Sequence, residues 1–418
     1  MSLTSRVLIG LVAGFVVGLV LSRYPAAGAI AVSLADPIGT IFINLIRMTV
    51  IPLVVSMLVV SVGSLASGAA AGALGRAGLQ AAIIAVVTLV VAAVVSVAIA
   101  KPVLATLNVD ASAARAIVRP VTTKTELRIE PADAPPPRSA LAQWFVDLVP
   151  QNVVKSGADG AMLPIIVFSV LFALALARVA EDRRAAVLRV AAGVADAMQH
   201  LVSAILLLAP IGVFALAIPL ATKLGLSAAS AVAAYVVLVV ALTILVGAVL
   251  LYPLGIVAGK LSPRAFAALC APAQAVAFTS RSSLAALPAM VESAERAGLP
   301  PLASEFILPV AASVFRVGAA VAQPVGVLFL ARLYGIDLSA PQLASLIFTV
   351  VLTTFAVPGI PGGSIIAMVP VLTAMQLPLD GIGILLAADT IPDMFRTTEN
   401  VTGSLTIAAA LGRVRASL

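Results

Sequence analysis

The stretch Ala388-Asp389-Thr390-Ile391-Pro392-Asp393-Met394-Phe395-Arg396-Thr397-Thr398-Glu399-Asn400-Val401-Thr402-Gly403-Ser404 decides how this chain is read. Asp389, Asp393, Arg396 and Asn400 follow the spacing i, i+4, i+7, i+11, which places them on one face of a helix. They stand near the end of a chain in which 62% of residues are hydrophobic and only 10% are charged. A charge at the centre of a bilayer costs roughly 2.5–3.5 kcal/mol on insertion scales, so such groups face a cavity and pair. Two carboxylates, a guanidinium and an amide on one stripe suit a zwitterionic or anionic solute. Arg396 can grip a carboxylate with two prongs, Asp393 can accept from an ammonium, and Asn400 can donate to a second carboxylate. The plainer alternative is a structural Asp–Arg pair within the helix, worth little alone. Asn400 and the flanking threonines extend the stripe beyond one pair.

The rest of the composition agrees with a membrane setting. Soluble domains run about 45–50% apolar and about 25% charged, whereas mean hydropathy here is +1.18. This excludes a soluble enzyme, a disordered chain and a nucleic-acid binder, and makes the lipid bilayer the expected surrounding. The net charge of +7 over 418 residues fits Lys and Arg gathered in cytoplasmic loops. With one cysteine, Cys270, and one histidine, His200, no internal disulfide, metal cluster or cofactor is expected. No catalytic constellation stands out, so the chain is not expected to be an enzyme.

A membrane-spanning helix needs about 20 apolar residues. Such runs recur at 6–22, 39–66, 75–103, 141–178, 193–222, 227–258, 303–334 and 379–411. Alanine, the best helix former, is abundant, and the short alternating segments of a barrel are absent. The fold class is therefore an all-α polytopic membrane protein with eight transmembrane helices. The first run reads as a span and not as a cleaved leader, because further spans follow at once. An N-terminus in the cytoplasm puts Arg6, Arg76, Arg178, Arg183, Arg184, Arg189, Lys260, Arg264, Arg296, Arg413 and Arg415 inside, as the distribution of positive charge requires. Both termini are then cytoplasmic, in a cell's inner (plasma) membrane. Residues 104–140, with mixed charges and Pro135-Pro136-Pro137, read as a long external loop.

Two further stretches are interrupted. Residues 263–297 carry Thr279-Ser280-Arg281-Ser282-Ser283 and then Leu287-Pro288, and residues 341–378 carry Val357-Pro358-Gly359-Ile360-Pro361-Gly362-Gly363-Ser364. Each half is too short to cross, which predicts two re-entrant helical hairpins. Paired interrupted segments point to a transporter's binding site. Arg316, deep in the apolar run Leu308–Ala320, needs an acidic partner.

At these residues the chain resembles the glutamate transporter family, the dicarboxylate/amino acid:cation symporters. Asn44-Leu45-Ile46-Arg47-Met48-Thr49-Val50-Ile51-Pro52-Leu53 resembles the family's second span. Arg281-Ser282-Ser283 resembles the tip of its first hairpin and Gly359-Ile360-Pro361-Gly362-Gly363 that of its second. Asp393-Met394-Phe395-Arg396-Thr397 with Asn400-Val401-Thr402-Gly403 resembles its last helix. The resemblance implies a homotrimer of elevator type. Residues 1–74 would hold scaffold spans one and two, 75–103 transport-domain span three, 104–140 the external loop, 141–226 scaffold spans four and five, and 227–418 the remaining transport domain. Arg281, Ser282 and Ser283 would lie at the substrate, with Ser283 and Asn400 on its α-carboxylate, Asp393 and Thr397 on its ammonium, and Arg396 on its side-chain carboxylate. Backbone groups at Ile360, Gly362 and Gly363 would form the gate.

The family's Asn-Met-Asp-Gly-Thr motif in span seven aligns with Phe315-Arg316-Val317-Gly318-Ala319, which lacks the sodium-binding amide and carboxylate. A late carboxylate of the last helix is Ser404, the sodium ligands of span three align with Ala85 and Thr88-Leu89, and Gln323 replaces the proton-carrying glutamate of animal relatives. The resemblance then implies a sodium-independent transporter of aspartate or glutamate. Arg316 would act as a tethered cation paired with Asp389 or Glu399, and a proton carried by Asp389 or Glu399, or plain exchange, would drive it. Competing readings are a dicarboxylate transporter, against which Asp393 argues because such a ligand has no ammonium, and an anion channel or transport-dead relative.

Overall fold

A computed structural model of the chain describes residues 3–67, 73–107, 146–224, 226–357 and 362–412. Every regular element among them is helical. In chain order they are α1 (Leu3–Leu21), α2 (Pro25–Ser67), α3 (Ala73–Ala105), α4 (Val153–Ala158), α5 (Met162–Leu176), α6 (Glu181–Leu206), α7 (Ala209–Leu224), α8 (Leu226–Val246) and α9 (Tyr252–Gly259). They continue as α10 (Pro263–Ser280), α11 (Leu287–Arg296), α12 (Leu308–Val314), α13 (Val317–Leu333), α14 (Ala340–Thr354), α15 (Gly363–Ile366), α16 (Met368–Ala374), α17 (Ile382–Ala388) and α18 (Thr390–Gly412). A wider π-helical turn, Gly247–Leu251, joins α8 to α9, and another, Leu302–Ile307, precedes α12. Among the described residues, five segments are long and apolar enough to cross a membrane, and six shorter apolar helices accompany them. The protein is an all-helical, multi-pass membrane protein.

Several expected boundaries move. The run at 39–66 is the end of a 43-residue helix that starts at Pro25. The run at 141–178 holds a short α4, capped by the Asn152 side chain, and a separate α5. The run at 193–222 divides between α6 and α7. Arg183, Arg184 and Arg189, expected in a loop, lie on α6. Its first turn carries Glu181 and Asp182, which complement the helix dipole, and arginine and alanine are good helix formers. The run at 303–334 is broken at Phe315 and Arg316. Most of the 104–140 loop, Ile360, Arg413 and Arg415 lie outside the described residues.

The core gathers around α18. From Val401 to Leu411 every residue of this helix is buried, and α13 is buried along nearly its whole length. A helix enclosed on all sides belongs at the centre of a bundle, and α10, α9, α8, α13 and α12 pack directly on α18. Helices α1, α2, α5, α6 and α7 pack chiefly on one another, α1 against α7 and α2 against α5, α6 and α7. Both interrupted stretches fold as pairs of helices in contact, α10 with α11 and α14 with α16. Arg281 of the first turn and Gly362 of the second lie toward the polar end of α18.

Candidate functional site

Asp389 sits at the entrance to α18, where its carbonyl accepts from the Asp393 amide at 2.7 Å. The helical spacing then aims three charged side chains at one another. Arg396 Nη1 lies 2.7 Å from Asp389 Oδ1, and Arg396 Nη2 donates to Asp389 Oδ2 and to Asp393 Oδ1, each at 2.9 Å. The three residues are 3%, 5% and 1% exposed in chain order. Removing one partner from such a buried pair leaves an uncompensated charge, at a cost of about 3–5 kcal/mol.

The break in the seventh span supplies the opposite wall. Phe315 (φ −92°, ψ 103°) and Arg316 (φ −119°, ψ 65°) leave the helical region, and the helix restarts at Val317. The Arg316 carbonyl caps the restart by accepting from the Ala319 and Ala320 amides. The Gly318 amide donates to Asn400 Oδ1 at 2.8 Å. This engages Oδ1 and leaves Nδ2 as the donor end of the Asn400 side chain. The Phe315 ring fills the space over Gly403, where a Cβ would come within 2.5 Å of it. Irregular backbone at membrane depth is tolerated where protein buries it or a cavity uses it, and discontinuous helices mark transporter sites.

Arg316 is 3% exposed. Asp389 pairs with Arg396, the charge of Asp393 acts on Arg316, and neither oxygen of Glu399 makes a hydrogen bond among the described residues. Glu399 precedes Asn400 by one position and so points about 100° away from the stripe.

Both turns reach this cluster. At the first, Arg281 ends α10 in a left-handed conformation (φ 54°), and its guanidinium acts on Asp389. The Ser282 amide donates to Ser280 Oγ. Ser283 is 2% exposed, and its Oγ has no hydrogen-bond partner among the described residues. At the second, the Gly362 amide donates to Asp393 Oδ2 at 3.4 Å. Gly362 has φ 76°, which glycine alone adopts freely, and Gly363 starts α15 as a buried residue. Thr397 is buried on α18. The candidate residues Arg281, Gly362, Asp389, Asp393, Arg396, Asn400 and Arg316 thus interact as one cluster, whereas Glu399 stands apart.

Two further contributors carry no charge. Gly318 lets two backbones touch, and Gln323 ties three elements together: its Oε1 accepts from Thr353 on α14 at 3.2 Å, and its Nε2 donates to the Ser364 carbonyl of α15 at 3.3 Å. Both were visible in the sequence, Gln323 as a glutamine inside an otherwise apolar helix and Gly318 as the glycine shared with the family motif, but neither showed the contact it makes.

The sequence model of the sodium:dicarboxylate symporter family matches residues 3–414, nearly the whole chain. The chain belongs to the sodium:dicarboxylate symporter family. Curated relatives in the same family cover almost all of it. A proton/sodium-glutamate symport protein of Bacillus caldotenax is 30% identical over 98% of this chain and 93% of its own length. One from Bacillus subtilis strain 168 is 31% identical over 98% and 92%. A proton/glutamate-aspartate symporter of Escherichia coli strain K12 is 32% identical over 96% and 90%. A family of symporters is a family of membrane transporters and not of enzymes.

Proposed function

We propose that this symporter-family protein is a secondary transporter of acidic amino acids, aspartate or glutamate, working without sodium. The observation that carries the reading is the charge of the cluster. Buried Arg316 and Arg396 and half-buried Arg281 act on Asp389 and Asp393, three guanidinium groups against two carboxylates among the described residues. One surplus positive charge is what a ligand with one ammonium and two carboxylates neutralises. A dicarboxylate without the ammonium would bring one negative charge too many and leave Asp393 facing an anion. Asp393 and Thr397 would receive the ammonium. Asn400 Nδ2 and the unpartnered Ser283 hydroxyl would hold the α-carboxylate, and Arg396 the side-chain carboxylate.

Sodium independence follows from Arg316. It stands between Phe315 and Val317, the positions at which the family pattern has its sodium-binding amide and carboxylate, it is buried, and Asp393 acts on it. A cation fixed to the chain cannot leave, so it cannot link binding to a sodium gradient. The names of the curated relatives favour glutamate and aspartate as substrates; the proton stands in all three names and sodium in two of them. Family membership supports a homotrimer moving as an elevator, with α1, α2, α5, α6 and α7 in the scaffold. The positive-charge pattern supports a plasma-membrane location with both termini in the cytoplasm.

The deciding experiment is counterflow of labelled aspartate in liposomes containing the purified protein. Stereoselective, saturable exchange of aspartate and glutamate supports the proposal. Current without saturable uptake would make the protein an anion channel, and uptake of succinate in preference to aspartate would make it a dicarboxylate carrier.

A further inference from the structure

A second buried acid lies outside the charged cluster. Glu399 is 4% exposed, and neither of its carboxylate oxygens has a hydrogen-bond partner among the described residues. It lines a cavity of about 360 Å³ together with Thr243, Tyr252, Gln274, Thr398 and Thr402. The hydrogen bonds of these neighbours decide what the cavity can accept. Thr243, Thr398 and Thr402 each give their hydroxyl proton to a backbone carbonyl, of Val239, Met394 and Thr398 respectively. Gln274 Nε2 spends its hydrogens on Tyr252 Oη (3.3 Å) and Thr402 Oγ1 (2.8 Å). Donors are committed while acceptors remain. Among the described residues, the Tyr252 hydroxyl proton is the one lining the cavity that is not so committed.

An ionised carboxylate buried without a cation and without donors is costly. A neutral carboxylic acid is suited to the same place, because its O–H finds acceptors on every side. The charged groups nearby do not change this. Helix α8 contributes Thr243 and no titratable side chain, and the π-helical turn and α9 contribute Tyr252. Helix α10 contributes Gln274, with the buried Cys270 one turn earlier near Tyr252 but not lining the cavity. On α18 itself, Asp389, Asp393 and Arg396 lie on the other stripe, engaged with one another and with Arg316 and Arg281. No Lys, Arg or His lines the cavity among the described residues. A bound cation is the less suited occupant, since hard cations gather about six or more oxygens and much of the lining here is Ile244, Gly247, Ala248 and Phe395.

We propose that Glu399 in this cavity is the proton-binding site of the protein, separate from the substrate cluster, and that its protonation sets how the first hairpin packs on α18. Phe395, Glu399 and Thr402 form one face (i, i+4, i+7). On that face Phe395 stacks edge-on against Phe278 at 5.3 Å, and Thr402 receives Gln274, both partners being on α10 just before the Arg281 turn. The π-helical turn, with the small residues Gly247 and Ala248, makes the room; such turns recur at functional sites. With Glu399 neutral the seam is sealed. With Glu399 charged, water must enter and the seam between α10 and α18 loosens. Asn400, the next residue, lies in the substrate cluster, so the state of the seam is felt there.

The proton site is tested on purified protein without any substrate. Infrared absorption at neutral pH should show the carbonyl stretch of a protonated carboxyl group, which vanishes as the pH is raised and is missing from Glu399→Gln. The same band in wild type and variant would overturn the proposal, as would a band that sodium but not choline removes, because the site would then take a metal cation. Glutamine copies the neutral acid in size and polarity, and the wild-type pH titration reads the band even without the variant. The role in transport rests on the acidic amino-acid reading above. In liposomes a pH gradient should accelerate uptake by the wild type, and E399Q should lose that acceleration while still exchanging aspartate. Equal acceleration in both would overturn the coupling role. If the wild type exchanges no acidic amino acid, the substrate reading fails while the infrared result still decides the proton site.

Discussion

Gly318 and Arg396 meet backbone to backbone: a Cβ built on Gly318 would lie 2.5 Å from the Arg396 carbonyl oxygen and 2.8 Å from its Cα. The restart of the broken helix is therefore pressed against the residue that carries the central guanidinium, and Gly318 holds Asn400 one turn further on.

Gly318→Ala should move both. Forcing extra volume into a packed contact typically costs about 1–3 kcal/mol, and here the obstructing atoms are main chain. The variant should melt at a lower temperature in detergent. Its affinity for aspartate should fall about tenfold or more, a factor that takes only about 1.4 kcal/mol. Calorimetry and a binding titration check the two effects; wild-type affinity would mean that the contact does not position Asn400.

The legible and illegible parts of the site divide at this contact. The stripe from Asp389 to Asn400 could be read from helical spacing alone, because every member lies on one element and charge inside an apolar chain is conspicuous. The two interruptions were legible for a similar reason: serine at one, glycine and proline at the other. The break at Phe315 and Arg316 was legible only as an anomaly, a charge in an apolar run; that the helix stops there was not, because the Phe315 ring over Gly403 and the Gly318 amide on Asn400 are tertiary contacts. The divided fourth and fifth spans show the converse limit, since hydropathy averages over the polar turns that separate α4 from α5 and α6 from α7.

Arg396 holds both acids of the stripe, so its removal has two consequences. Arg396→Ser should abolish aspartate binding, since losing one partner of a buried ion pair typically costs about 3–5 kcal/mol, more than a hundredfold. Adding Asp389→Asn removes the carboxylate left unpaired and should restore folding but not recognition of acidic ligands, shifting preference toward neutral amino acids. Competition binding with aspartate and serine on the single and double variants reads this directly. Unchanged aspartate preference would place the side-chain carboxylate elsewhere.

Asp393 should be the least replaceable of the three. Asp393→Ala strips Arg396 of one anion, Arg316 of its counter-charge, and Gly362 of its acceptor. Aspartate binding should be lost, again by more than a hundredfold for a buried charge partner. Retained binding in a titration would refute its assignment to the ammonium.

Sodium should be irrelevant to affinity. Aspartate titrated in sodium and in choline at equal ionic strength should give the same dissociation constant, because an ion that binds no state differentially shifts no equilibrium. A tenfold gain in sodium would refute the tethered cation. Arg316→Met should weaken binding in both buffers alike, with no rescue by sodium.

Assembly makes a further expectation. Helices α2, α5 and α6 enclose an apolar groove lined by Pro52, Val55, Val59, Phe172, Val187 and Val190. In the proposed scaffold this surface faces neighbouring protomers or lipid. Cross-linking and mass measurement in detergent should give a trimer; a stable monomer or dimer would refute the arrangement.

The amide of Gly362 rests on Asp393, the carboxylate assigned to the ligand's ammonium. An N–H of the chain thus stands in for an N–H of the cargo. A carrier that works in cycles must recross the membrane after unloading, and it cannot do so with bare charges turned toward lipid. Here Asp389 and Asp393 rest on Arg396, and the Gly362 amide adds its N–H to Asp393. Cargo binding is an exchange of one donor for another at the same oxygen, so affinity measures the difference between the two bonds and not the strength of either.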